Sequence, residues 1–139
     1  MRPGPVDEPP PPPDMAPMPP VLLVAIGGAF GAVLRYLAGA GIARLGAPSF
    51  PVATLSVNVV GSFAMGVLFV ALTRSGQTHL STLLLTGLLG GFTTFSAFSL
   101  EAVTLMEEGR AMAALAYALL SVILSVAALM LGLAAARAA

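Results

Sequence analysis

The chain has 139 residues, 58% apolar and 9% charged, with six basic residues, all Arg, balancing six carboxylates to a net charge of zero. That composition belongs to an integral membrane protein rather than to a soluble core, and it offers no basic surface for nucleic acid. There is no Cys and a single His, His79, so disulfides, zinc–thiolate sites and thiol catalysis are excluded.

Residues 1–20 form a separate N-terminal region. An unbroken proline run at 9–13 sits beside Asp7, Glu8 and Asp14. This composition predicts a disordered, solvated, proline-rich tail ahead of a membrane domain over 21–139. No basic segment leads directly into a cleavable apolar stretch, so the tail does not read as a signal peptide. Met15 and Met18 are alternative starts.

Four apolar segments follow, at 21–45, 50–73, 79–106 and 110–136. Each exceeds the roughly 20 residues needed to cross a bilayer core. The predicted fold is therefore all-α, with four transmembrane helices. The connections at 46–49, 74–78 and 107–109 are short, so successive helices run antiparallel and both termini share one side. Arg74, Arg137 and the distant Arg2 fall on that side, and Arg44 and Arg110 on the other. The balance fits insertion in both orientations, or simply too few charges to decide.

The first segment carries Gly27, Gly28, Gly31, Gly39 and Gly41, and the second Gly61 and Gly66. Gly27 and Gly31 have the spacing that lets helices approach closely, and packing is the expected role of the whole set. Arg35 lies well inside the first segment, about 21 Å from one end and 15 Å from the other at helical rise. It either faces a water-filled vestibule or snorkels to the nearer interface. In the second segment Asn58 interrupts an apolar run, with Thr54 one turn earlier on the same face. An interhelical hydrogen bond is its first expected role, and a polar contact for a permeant species the second.

The third segment contains Gly90-Gly91-Phe92-Thr93-Thr94-Phe95-Ser96-Ala97-Phe98. Paired glycines weaken a helix, so a break near the middle of the third helix is expected here. Irregular backbone at that depth persists only under cover of protein or a water-filled cavity. Phe95 and Phe98 share a face, and an aromatic edge is electropositive. They are either packing or an anion-facing wall. Glu101 follows, near the membrane boundary or in a vestibule. In the fourth segment Tyr117, Ser121 and Ser125 make one hydroxyl stripe. Such a stripe solvates an ion, or each Ser bonds back to its own helix. No nucleophile–base pair, metal cluster or phosphate loop appears, so an enzyme is not expected.

Three motifs in order resemble the Fluc/CrcB fluoride channels: Gly27-Gly28-Ala29-Phe30-Gly31-Ala32-Val33-Leu34-Arg35-Tyr36, Thr54-Leu55-Ser56-Val57-Asn58-Val59-Val60-Gly61-Ser62-Phe63, and Gly90 to Phe98. The resemblance covers 21–136. It implies an antiparallel, dual-topology homodimer in the cell inner membrane, with two pores through which fluoride leaves the cytoplasm passively. It also implies a structural Na⁺ at the dimer centre, held by backbone carbonyls of Gly90 and Thr93. By motif position Phe95 and Phe98 match the pore phenylalanines, Asn58 the pore amide, and Tyr117, Ser121 and Ser125 the polar track. Arg35 and Glu101 match the family's arginine and acidic positions, and Thr54 and Thr94 fall on the same ion pathway. Ala53 and Ala97 depart from the residues common at those positions, Gly and a hydroxyl residue. The rival expectations are a proton-coupled exporter of lipophilic cations and a structural membrane subunit. The exporter needs an embedded carboxylate, and the first, second and fourth segments have none.

Overall fold

The first helix begins on Pro20, where the missing N–H removes a donor that would be unpaired anyway. In this computed structural model, which describes residues 18–46 and 49–139, α1 spans Pro20–Arg44 and α2 spans Val52–Ser75. The expectation of a disordered tail falls mostly on residues 1–17, which lie outside the described residues. The third span covers Thr78–Glu107 and the last, α5, covers Ala111–Ala138. All four are long and apolar enough to cross a membrane. Gly76 (φ 65°) ends α2, and Gly109 (φ 73°) turns the chain into α5, both in the left-handed region that favours glycine.

The third span is divided. Its first part, α3 (78–92), starts as α-helix and widens over Thr82–Leu89 into π-helical turns, where Gly90 N–H donates to the Leu85 carbonyl. It then returns to α geometry over Gly90–Phe92. At Thr93 (ψ 158°) and Thr94 (φ −152°, ψ 128°) the backbone is extended. The second part, α4, resumes at Phe95–Glu107. The break thus falls in the expected segment, but the expected cause does not hold. Gly90 (φ −62°, ψ −37°) and Gly91 are helical, and the two threonines carry the break. Thr is at ease in extended backbone. Thr93 Oγ1 donates to the Leu89 carbonyl (2.9 Å), and Thr94 Oγ1 caps α4 by accepting from Ala97 N–H (3.3 Å).

The glycines decide which helices meet. α1 lies against α3, and α2 against α5. Within each pair the two helices run parallel, as alternate members of an antiparallel series must. A Cβ added at Gly27 would sit 2.8 Å from Leu88 N, one at Gly31 2.7 Å from Phe92 N, and one at Gly91 2.9 Å from Gly28 Cα. In the other pair a Cβ at Gly66 would lie 2.8 Å from Leu133 N. Backbones this close gain dispersion contact that any side chain would forfeit. Gly39 and Gly41 do not follow, since nothing lies within 4 Å of a Cβ at either. Past Thr94 the chain leaves α1 and packs on α5, so the second half of α1 loses its partner.

At the terminal side Arg74 holds the pair α2/α5 together. Its Nη1 donates to the Ala136 carbonyl (3.0 Å) and its Nη2 to the Arg137 carbonyl (3.2 Å). A cation on the unpaired carbonyls of a helix C-terminus is favourable. Nearer the other side a small core gathers Leu105, Ala114 and Tyr117, with Phe50, Leu55 and Phe98 against it.

Candidate functional site

Asn58 sits within α2, one turn past Thr54, and faces the break. Its Nδ2 donates to the Thr94 carbonyl (3.0 Å), and its Oδ1 accepts from Thr94 N–H (2.8 Å). The side chain thereby replaces the acceptor that Thr94 N–H loses and adds a second donor to the Thr94 carbonyl, as the interhelical role expected from sequence requires. A carboxamide has two N–H donors and two lone pairs on oxygen, so this clamp leaves one of each.

The clamp frees other groups. Thr94 N–H would close a helical bond onto the Gly90 carbonyl, and Ala97 N–H one onto the Thr93 carbonyl. The first donates instead to Asn58 and the second to Thr94 Oγ1. The four backbone carbonyls from Gly90 to Thr93, the Gly90 and Thr93 carbonyls among them, are left without their helical donors near the middle of the third span.

A groove of about 570 Å³ opens beside the break. Gly90, Thr93, Thr94, Phe95 and Phe98 form one wall, Asn58 and Ser62 of α2 a second, and Ser121 and Ser125 of α5 a third. Met65, Val122, Val126 and Leu129 complete it with apolar surface, and no lining residue is charged. A second cavity, of about 550 Å³, is lined by 76–80 with Leu23 and Leu83, and holds none of the sequence candidates.

The serine hydroxyls of the groove make no hydrogen bond back to their own helix among the described residues. Thr73, Thr82, Thr93, Ser99 and Thr104 each donate to the carbonyl four residues earlier, the habitual fate of a hydroxyl in a membrane helix. Ser121 Oγ is buried with no hydrogen-bond partner, and Ser62 and Ser125 have none among the described residues. Unpaired polar groups in an apolar surround are costly unless something polar visits them.

The rings stand at one end of the groove. Phe95 and Phe98 lie 5.3 Å apart between centroids at 43°, and Phe98 lies 5.2 Å from Tyr117. Phe95 is 76% exposed, so it is not part of the core within this chain. Behind Phe98, Glu101 accepts from Tyr117 Oη (2.6 Å, on Oε2) and from Thr54 Oγ1 (2.8 Å, on Oε1). Thr54 is in the first turn of α2, which agrees with the expected depth of Glu101 near a helix end.

The structure therefore gathers Asn58, Thr93, Thr94, Gly90, Phe95, Phe98, Ser121 and Ser125 around one groove, and joins Thr54, Glu101 and Tyr117 through the Phe98–Tyr117 contact. Arg35 stands apart. It does not line the groove, and its guanidinium has no hydrogen-bond or ion-pair partner among the described residues. The residues that sequence reasoning left out are Ser62 and Met65. Ser62 carried a signal, because it extends the Thr54–Asn58 stripe by one further turn. Met65 carried none.

A neutral groove lined by hydroxyls, an amide with a spare N–H and two aromatic rings suits a small, strongly hydrated anion, whose water it can replace with fixed donors. Comparison with known proteins points the same way. Residues 22–133 match the family model described as CrcB-like protein, Camphor Resistance (CrcB). The chain is 60% identical over 117 residues to the fluoride-specific ion channel FluC of Cereibacter sphaeroides (strain ATCC 17029 / ATH 2.4.9), covering 84% of this chain and 94% of that one. It is 58% identical over 118 residues to the protein of the same name from Ruegeria sp. (strain TM1040), and 58% over 119 residues to that of Roseobacter denitrificans. In both cases the match again covers 84% of this chain and 94% of the relative.

Proposed function

This chain belongs to the CrcB-like family, and we propose that it is a fluoride-specific channel of the cell inner membrane that lets F⁻ leave the cytoplasm passively. The observation that carries the reading is the uncharged groove, where Asn58, Ser121 and Ser125 meet Phe95 and Phe98. Neutral HF crosses a bilayer, dissociates inside and leaves the ion behind a barrier that charge cannot cross unaided. In the groove the spare Asn58 N–H and the serine hydroxyls donate to fluoride in place of water. The ring edges of Phe95 and Phe98 add positive potential without a buried cation that would hold the ion too tightly. Thr94 is kept in place by the Asn58 clamp. Thr54, Glu101 and Tyr117 continue the path beyond the rings, and Arg35 attracts the anion from outside the groove. The test is fluoride release from liposomes holding the purified protein, followed with a fluoride electrode. Rapid release without a proton gradient, with chloride excluded, is the expected result. Equal chloride release, or a strict need for a proton gradient, rejects the reading.

The finer assembly is an antiparallel homodimer. Its support is the near balance of Arg74 and Arg137 against Arg44 and Arg110. A cysteine introduced at a loop is expected to be labelled from both sides of the membrane, and labelling from one side alone overturns dual topology.

The Gly90 and Thr93 carbonyls fit a structural Na⁺. Each lacks its helical N–H donor, and oxygen dipoles at depth suit a hard cation. When bound, the ion supplies the positive charge that these carbonyls lack. A two-fold axis through the break gives four such oxygens from two protomers. Exchanging Na⁺ for a much larger cation is expected to weaken fluoride release. Undiminished release in thoroughly Na⁺-free medium counts against the site.

A further inference from the structure

α2 and α5 run parallel and pack closely, with Gly66 against Leu129 and Leu133 and Gly132 against Phe63 and Val67. α2 carries Thr54, Asn58 and Ser62 one turn apart, and α5 carries Tyr117, Ser121 and Ser125 at the same spacing. Thr54 and Tyr117 donate to the same Glu101 carboxylate. Asn58, Ser62, Ser121 and Ser125 all line the groove.

Thr54 and Tyr117 are satisfied by Glu101, and Asn58 by Thr94. Ser62 has no such partner. Ser62 and Ser125 both line the groove, neither is hydrogen-bonded among the described residues, and the groove around them is completed by Met65, Val126 and Leu129. Hydroxyls left open beside apolar surface gain most from a hydrogen-bond acceptor that enters the groove. Resting on the pathway described above, we infer that Ser62 supplies a fluoride-coordinating hydroxyl from the α2 wall of the groove. The ion is then approached by hydroxyls of two helices, where the stripe on α5 alone would hold it from one side.

The experiment measures fluoride release from liposomes carrying the full chain as wild type, Ser62→Ala, Ser62→Thr and Ser125→Ala. Ser62→Ala is expected to slow release about tenfold, the scale of one hydrogen bond to an ion. Ser62→Thr keeps the hydroxyl and is expected to restore release to within about twofold of wild type. If Ser62→Ala does not give a normally sized protein in detergent, Ser62→Cys, which keeps the volume but donates weakly, takes its place with the same expectation. Release unchanged in Ser62→Ala while Ser125→Ala is slowed overturns the role of Ser62 and leaves the pathway standing. A loss that Ser62→Thr does not restore also overturns it, because packing rather than the hydroxyl is then at stake. Wild-type vesicles that release no fluoride overturn the pathway and this inference with it.

Discussion

Replacing Phe95, Phe98 or both singly with isoleucine is expected to leave a folded protein of normal size that has lost at least about nine-tenths of its fluoride flux, roughly 1.4 kcal/mol or more in the barrier. The two readings of these rings part sharply here. As packing, Phe→Ile keeps an apolar side chain of similar bulk and typically costs under about 1.5 kcal/mol when neighbours can repack. As part of the anion path, it removes the electropositive edge and leaves an aliphatic wall with nothing in place of water. Phe95 gives the cleaner test. It is 76% exposed and its ring contact is with Phe98, so isoleucine there disturbs little else. Phe98 also packs on Tyr117 (5.2 Å), so part of any effect at that site passes through the Tyr117–Glu101 hydrogen bond. Phe92→Ile is the control. Phe92 lies beside Gly61 on the far side of the break and does not line the groove. Near-normal flux in both Phe95→Ile and Phe98→Ile, with normal sizing, shows that the rings are packing and the pathway lies elsewhere.

Asn58→Ala is expected to lower both stability and flux. The substitution strips the Thr94 N–H of its partner and removes the Asn58 donor from the Thr94 carbonyl, which keeps its bond within α4. The unpaired N–H costs about 1–3 kcal/mol, and within a membrane water is not at hand to replace the amide. The apparent melting temperature in detergent is expected to fall by roughly 5 °C or more. Fluoride release falls further than stability alone predicts, because the spare amide N–H is lost along with the clamp. Asn58→Asp separates the two effects. It still accepts from Thr94 N–H but sets a carboxylate against the Thr94 carbonyl and against any anion. Its flux is expected to be the lowest of the set. An Asn58→Ala protein that melts and conducts like wild type removes Asn58 from both roles.

The spans, their order and their near-antiparallel succession are local properties, and the sequence by itself determined them. Runs of apolar residues longer than a bilayer core leave one outcome, and each boundary falls within two residues of the expected one. The polar stripes were legible for the same reason, since residues four apart share a helix face whatever surrounds them. So was the family, through three motifs in order, and the position of the break to within a few residues.

The reason for the break was not legible. Two adjacent glycines weaken a helix by about 1 kcal/mol each, and on propensity they are the weak point. Tertiary contact outweighs that cost. Gly91 is held helical because its bare Cα meets Gly28, and the chain comes apart only where Asn58 of another helix accepts and donates to Thr94. The same contact explains Gly39 and Gly41, which repeat the small-residue signal of Gly27 and Gly31 but have lost their partner once the third span turns from α1 to α5. Propensity is summed within one helix, whereas the cost of an unpaired carbonyl depends on which donor another helix brings. Only the tertiary structure could free the carbonyls at the break, bring Ser62 into one groove with Ser125, and leave Arg35 with the rest of α1 outside that groove.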